Sequence, residues 1–188
     1  AVVGVPAEVV ARVATGETGC VAIARDGRSI ATIAVSGVDR DDRYLMVTDL
    51  RTGAMRAGAK IFGVDRGTDV AEWEELRATL AAIDPLPCHT AKAGPDDVVV
   101  LTSPPVTIEA MNHRISVRLD GHGTYVVPLR RRYAGPFQAE EAYWSDALPF
   151  LVLMVIEEGD SAFDYWQRMF VVPWAELGIR QTSRWSSP

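Results

Sequence analysis

Cysteine is nearly missing from this chain of 188 residues, which has only Cys20 and Cys88. Two are too few for the disulfide framework of a small secreted domain, and alone they cannot complete a tetrahedral zinc site. Cys88-His89 is an adjacent pair rather than one spaced to chelate a metal. Two reduced, mostly buried thiols are therefore expected. Histidine is scarce as well. Neither His89 nor His113 has an H-x-x-x-H or E-x-x-H partner, so zinc chemistry is not expected, and no metal or other cofactor is implied.

Long apolar runs are also lacking. The longest, "ALPFLVLMVI" (147–156), is about half of what a membrane span needs and reads as a buried strand. The stretch "AVVGVPAEVV" has no basic flank and no long apolar region, so it does not read as a signal peptide. A cytoplasmic protein without a membrane segment is the expectation. Positive charge is in deficit too, with a net charge of −6. That argues against a broad nucleic-acid footprint, which needs clustered Lys and Arg, while leaving room for a local basic patch. No repeat, heptad or low-complexity run is present.

What is present is a core and a rhythm. The 48% apolar and 23% charged content belongs to an ordinary globular chain. "PAEVVARVA" (6–14) predicts a short helix, with Pro6 at its first turn. "CVAIARDGRSIATIAVSG" alternates on both sides of Asp26-Gly27, which predicts a hairpin with a two-residue type I′ turn and Ile23 and Ile33 in the interior. "RYLMVTD" (43–49) and "AMRAGAKIFGV" (54–64) read as two further strands of an antiparallel meander. Val70, Trp73, Leu76, Leu80 and Ile83 then recur at helical spacing. They predict a helix over 69–83, opened by Asp69 and Glu72 and closed by Asp84-Pro85.

The Pro- and Gly-rich stretch 85–96 reads as a connector, the place where a single domain over 1–188 would divide if it divides at all. Strands follow at 97–102, "VTIEA", "HRISVRL" and "TYVVPL". A helix is expected at "FQAEEAYWSDAL" (137–148), then a strand at "PFLVLMVIEE" and an aromatic segment "AFDYWQRMFVVPWAELGI". If helical, that segment puts Phe163, Trp166 and Phe170 on one face. If extended, Phe163, Tyr165 and Gln167 share a face instead. The fold class implied is β-rich α+β, mainly antiparallel, with two or three helices.

Several constellations invite a chemical reading. In "RISVRLDGHGTYVVPLRRRY", Asp120 and His122 sit on a turn ahead of Arg130, Arg131 and Arg132. A catalytic arrangement would use His122 as base and an arginine as anion clamp. Consecutive arginines on a strand point to opposite faces, however, so a hairpin with a charged rim is favoured. In it, 113–119 and 124–129 pair around "DGHG", Ile115, Val117 and Leu119 face inward, and Pro128 marks a sheet edge or a bulge. Asp39, Asp41 and Asp42 lack the spacing of a calcium loop, and "GETG" (16–19) lacks the Lys-Ser or Lys-Thr of a phosphate loop. Tyr165, Trp166 and Trp185 fall in the aromatic C-terminal region, where such residues serve as core or as anchors of an interface.

The order "DVVVLT … HRISVRLDG … TYVVPL", then a helix, then "LPFLVLMVIEE … YWQRMFVVPWAEL", resembles nucleases of the restriction-endonuclease-like fold. The resemblance implies a metal-dependent hydrolase with an acid on one strand and an acid-x-Lys motif on the next. Asp96 or Asp97 stands for the first acid. Leu119 and Asp120 stand where the motif belongs, without its lysine, so the site is degenerate. The favoured expectation is different: a non-enzymatic structural or interaction module, a subunit of a larger assembly, whose partner is another protein or a second copy of itself.

Overall fold

The computed structural model describes residues 4–35, 43–56, 60–61, 70–92, 98–102, 105–111, 114–129, 139–158 and 165–178. It is a β-rich α+β chain of antiparallel sheets with two α-helices among these residues. It divides into two compact units, Ala1–His89 and Thr90–Pro188.

The first unit is a sheet with helices packed on it. Its strands are β1 (Gly19–Ala24), β2 (Ser29–Val35), β3 (Arg43–Asp49), β4 (Met55–Arg56), β5 (Lys60–Ile61) and β6 (Pro85–Pro87), in the order β4-β3-β2-β1-β6, with β5 also paired to β3. Of the expected fourth strand over 54–64, the described residues form β4 and β5. Helix α1 (Ala7–Thr15) buries Val9 and Val13, one turn apart, and helix α2 (Val70–Ala81) buries Leu76 and Leu80. These side chains share one core with Val21, Ile33, Leu45, Val47 and Ile61. Trp73 packs against the same core but is only half-buried, and the Arg77 guanidinium stands 5.8 Å from the centre of its ring. Asp69, the expected cap, lies outside the described residues.

The first hairpin corrects the expected two-residue turn. Ile23 pairs with Ile30, so residues 25–28 form a longer loop. The Gly27 N–H donates to the Ala24 carbonyl at 2.8 Å, and Gly27 alone in the loop has positive φ, 71°. That is a type I turn followed by a left-handed glycine, not a type I′ turn with two left-handed centres. Asp26 takes another role, its carboxylate accepting the Arg28 N–H at 2.9 Å. Ile23 and Ile33 are both buried.

The division between the two units falls within the 85–96 stretch, where it was expected if the chain divides, but two local expectations are corrected. The 85–96 stretch begins with two strands, β6 and β7 (His89–Lys92), which belong to different sheets. Docking of β6 on β1 brings the Cys20 and Cys88 Cα atoms to 6.1 Å, and the pair forms a disulfide rather than two thiols. The two cysteines lie 68 residues apart, so nothing local in the sequence signals the pairing. In the chain-entropy account such a link is worth about 4 kcal/mol.

The second unit is a sandwich. One sheet has the order β11-β10-β9-β8 and is built from β8 (Val98–Thr102), β9 (Pro105–Met111), β10 (Arg114–Leu119) and β11 (Gly123–Val126). The other has the order β14-β13-β12-β7 and is built from β7, β12 (Ala139–Trp144), β13 (Phe150–Glu158) and β14 (Tyr165–Pro173). Val106, Ile108, Ile115, Val117 and Leu119 from the first sheet share a core with Ala142, Trp144, Leu151, Leu153, Val155, Phe170 and Val172 from the second. A 3₁₀ turn, η1 (Trp174–Leu177), adds Trp174 and Leu177 to it.

The helix expected at 137–148 is absent: residues 139–144 are strand β12. "AEEA" is good helix sequence, but pairing with β13 along its length outweighs a local preference of tenths of a kcal/mol per residue.

Candidate functional site

Strand alternation on β10 puts Ile115, Val117 and Leu119 in the core and leaves Arg114 and Arg118 exposed. The hairpin expected there is present, in slightly different register. Leu119 pairs with Gly123, so the loop is Asp120-Gly121-His122, closed by the His122 N–H on the Leu119 carbonyl at 3.0 Å. Asp120 and His122 are exposed. Arg118 reaches both Glu109 and Asp120 at 3.3 Å, an ion-pair row across the solvent face of the sheet. At such exposure it contributes little to stability. The His122 backbone lies against the glycine that ends η1, for a Cβ on Gly178 would stand 3.1 Å from the His122 carbonyl oxygen. Asp120 and His122 thus form the rim of a hairpin.

Two features of the order that resembles nucleases differ among the described residues. Leu119, where the acid-x-Lys motif would lie, is a core side chain. The helix in its element order is strand β12. Among the described residues no three His, Cys, Asp or Glu side chains are grouped to hold a metal. Asp96 and Asp97 lie outside the described residues, as do Asp39, Asp41, Asp42, His113, Arg130, Arg131, Arg132, Phe163 and Trp185.

A more chemically loaded cluster, which the sequence does not signal, lies on β12. On β12, Glu141 is nearly buried, and its two carboxylate oxygens are held separately. The Tyr143 hydroxyl donates to one, and the Lys92 ammonium on β7 lies 3.3 Å from the other. Tyr143 is fully buried, with its hydroxyl also 3.8 Å from the Met154 sulfur. Residues two apart on a strand share a face, which is how Glu141 and Tyr143 come together. Each oxygen of the acid has a partner, so the cluster acts as a tie between β12 and β7. A glutamate two before a tyrosine points to such a cluster only once the segment is known to be a strand.

The sheet edges separate more clearly. In an antiparallel pair, residues alternate between exchanging hydrogen bonds with the neighbour and pointing their N–H and C=O away from it. The Arg25 N–H donates to the Asp84 carbonyl, which makes Pro85 and Pro87 the outward residues of β6, so this edge offers no donor. On β11, the Val127 N–H donates to Ile115, so Thr124, Val126 and then Pro128 point outward. That edge is short and ends in proline. β4 and β5 have two residues each, β7 four and β8 five.

β14 is the exception, with nine residues paired to β13 on one side and, among the described strands, to none on the other. The Trp174 N–H donates to the Pro149 carbonyl at 2.9 Å. The alternation then directs the backbone groups of Tyr165, Gln167, Met169 and Val171 away from β13, and only the terminal Pro173 lacks a donor. One guard is present: Arg168 alternates onto the core-facing side, its guanidinium 4.7 Å from the centre of the Phe170 ring.

The aromatic segment is therefore extended from Tyr165 to Pro173, the second of the two arrangements open to the sequence. Tyr165 and Trp166 lie on this edge strand, with side chains outside the described residues. Among the described residues no helix is long and apolar enough to cross a membrane. Compared with known proteins, the chain matches no family model, no curated protein and no solved structure.

Proposed function

We propose that this chain is a non-enzymatic interaction module that joins a second copy of itself through β14. The observation that supports it is the nine-residue edge strand with four outward backbone N–H groups, in a chain whose other described edges are short or closed by proline. Such an edge is a template for β-augmentation.

The sequence of the strand favours a second copy as the occupant. In an antiparallel pair of β14 strands centred on Gln167, outward residues meet outward residues. Trp166 then stands opposite Arg168, and Tyr165 opposite Met169, each twice by two-fold symmetry. An aromatic residue across from a thioether residue is a favourable cross-strand pairing of residue types, and Arg168 keeps its place over the Phe170 ring. Arg130, Arg131 and Arg132 play no part in this proposal.

Light scattering over a range of concentrations tests it. The expected result is a dimer that Met169→Pro converts to a monomer with unchanged far-UV circular dichroism. This substitution removes an N–H that points away from β13. A wild-type chain that stays monomeric at every concentration, or a dimer indifferent to Met169→Pro, overturns the proposal.

A further inference from the structure

We infer that this chain matures in an oxidising compartment, where an external disulfide closes Cys20–Cys88 as a permanent clasp holding β6 onto β1. The inference is independent of the β14 proposal, and it takes the place of the cytoplasmic expectation.

Strand β6 is three residues long, "PLP", and Leu86 supplies its only backbone N–H. One donor in three residues is a weak hold for a strand that forms one edge of its sheet. The ion pair from Arg25 to Asp84 at 2.9 Å joins solvent-exposed side chains and adds little. Burial of Pro85 and Leu86 and the Arg25 N–H donating to the Asp84 carbonyl at 3.0 Å add to that hold, and the covalent bond is the strongest single tie. Cys88 follows Pro87 directly, and its bond to Cys20 fixes the end of β6 one residue before His89 opens β7. The clasp therefore secures the point where the chain leaves one sheet and begins the strand of another.

Both cysteines are buried, Cys20 3% and Cys88 1% exposed. Burial shields the bond from attack by a thiolate, which must reach a sulfur to exchange with it. That suits a clasp closed once and left closed, and it does not suit a switch. It also requires closure while the sulfurs are still accessible. In that step the two thiols are oxidised, giving up two electrons and two protons. The external disulfide is reduced to two thiols, and the Cys20–Cys88 bond is formed. Cytosolic thiol pools hold such pairs reduced, whereas secretory and periplasmic compartments oxidise them.

The experiment compares the whole chain produced in an oxidising compartment with the same chain produced in a reducing cytoplasm. Alkylation in denaturant, read by mass, is expected to label no cysteine in the first and both in the second. The oxidised protein is expected to melt roughly 10 °C higher. Amide exchange at Leu86 and Arg25 is expected to accelerate in the reduced form, while the β2–β3 ladder keeps its protection. If the cytoplasmic product does not fold, the Cys20→Ala/Cys88→Ala double variant made in the oxidising compartment supplies the comparison without the clasp. Two alkylated cysteines in protein from the oxidising compartment would overturn the inference. So would equal melting temperatures and equal Leu86 exchange in the two redox forms.

Discussion

Asp49 ends β3, and its carboxylate organises the turn that follows. Oδ1 accepts the N–H of Arg51 at 2.9 Å, the N–H of Thr52 at 2.7 Å and the Thr52 hydroxyl at 2.9 Å. The hydrogen bonds from Thr52, backbone first and hydroxyl second, hold its pKa below the ordinary 3.8. A depressed carboxylate pKa favours the folded state above the unfolded value, and that contribution is lost as pH falls through the folded value. Wild-type and Asp49→Ala proteins are therefore expected to differ in stability at neutral pH and to converge below pH 3.8. A carbon-detected NMR titration that put Asp49 at or above 3.8 would remove the basis for this. At this same scale the sequence was only partly informative. Gly27 was legible as a turn glycine because Asp-Gly is a local signal, but the Cys20–Cys88 bond was not. It depends on where β6 lands after a separation of 68 residues.

Among elements, those with their own period were legible and those defined by neighbours were not. The 3.6-residue recurrence of Leu76 and Leu80 marked α2, and the two-residue alternation of Ile115, Val117 and Leu119 marked β10. β12 is not legible because 139–142 suits a helix in isolation, and only partner strands make it extended. β14 raised interest for Tyr165 and Trp166, but its place at a sheet edge depends on pairing order, which alternation does not encode. The Glu141 tie allows a test in which magnitudes decide. Lys92 is 62% exposed at its side chain, so its ion pair is expected to contribute less than about 1 kcal/mol. Tyr143→Phe strips one oxygen of a nearly buried carboxylate of its donor and is expected to cost about 1–3 kcal/mol. Urea denaturation of Tyr143→Phe and Lys92→Ala would rank the two; a costlier Lys92→Ala would mean that the charge across the strands, not the hydroxyl within β12, contributes more at Glu141.

At the scale of the whole molecule, the two units differ in how they bury their apolar residues. The first lays helices on a sheet, so Leu80 shares a helix-on-sheet core with Val47 and Ile33. The second closes two sheets on each other, so Leu153 and Ile115 share a sandwich core. No residue of one cluster belongs to the other. Substitutions that share no partners act additively and perturb their own surroundings. Leu80→Ala and Leu153→Ala are each expected to cost about 2–5 kcal/mol, both side chains being essentially inaccessible. Amide exchange should locate the damage. Leu80→Ala is expected to lower protection in β1, β2 and β3 while sparing β12 and β13, and Leu153→Ala to do the reverse. Loss of protection spread evenly over both units by either substitution would show that the two cores open as one.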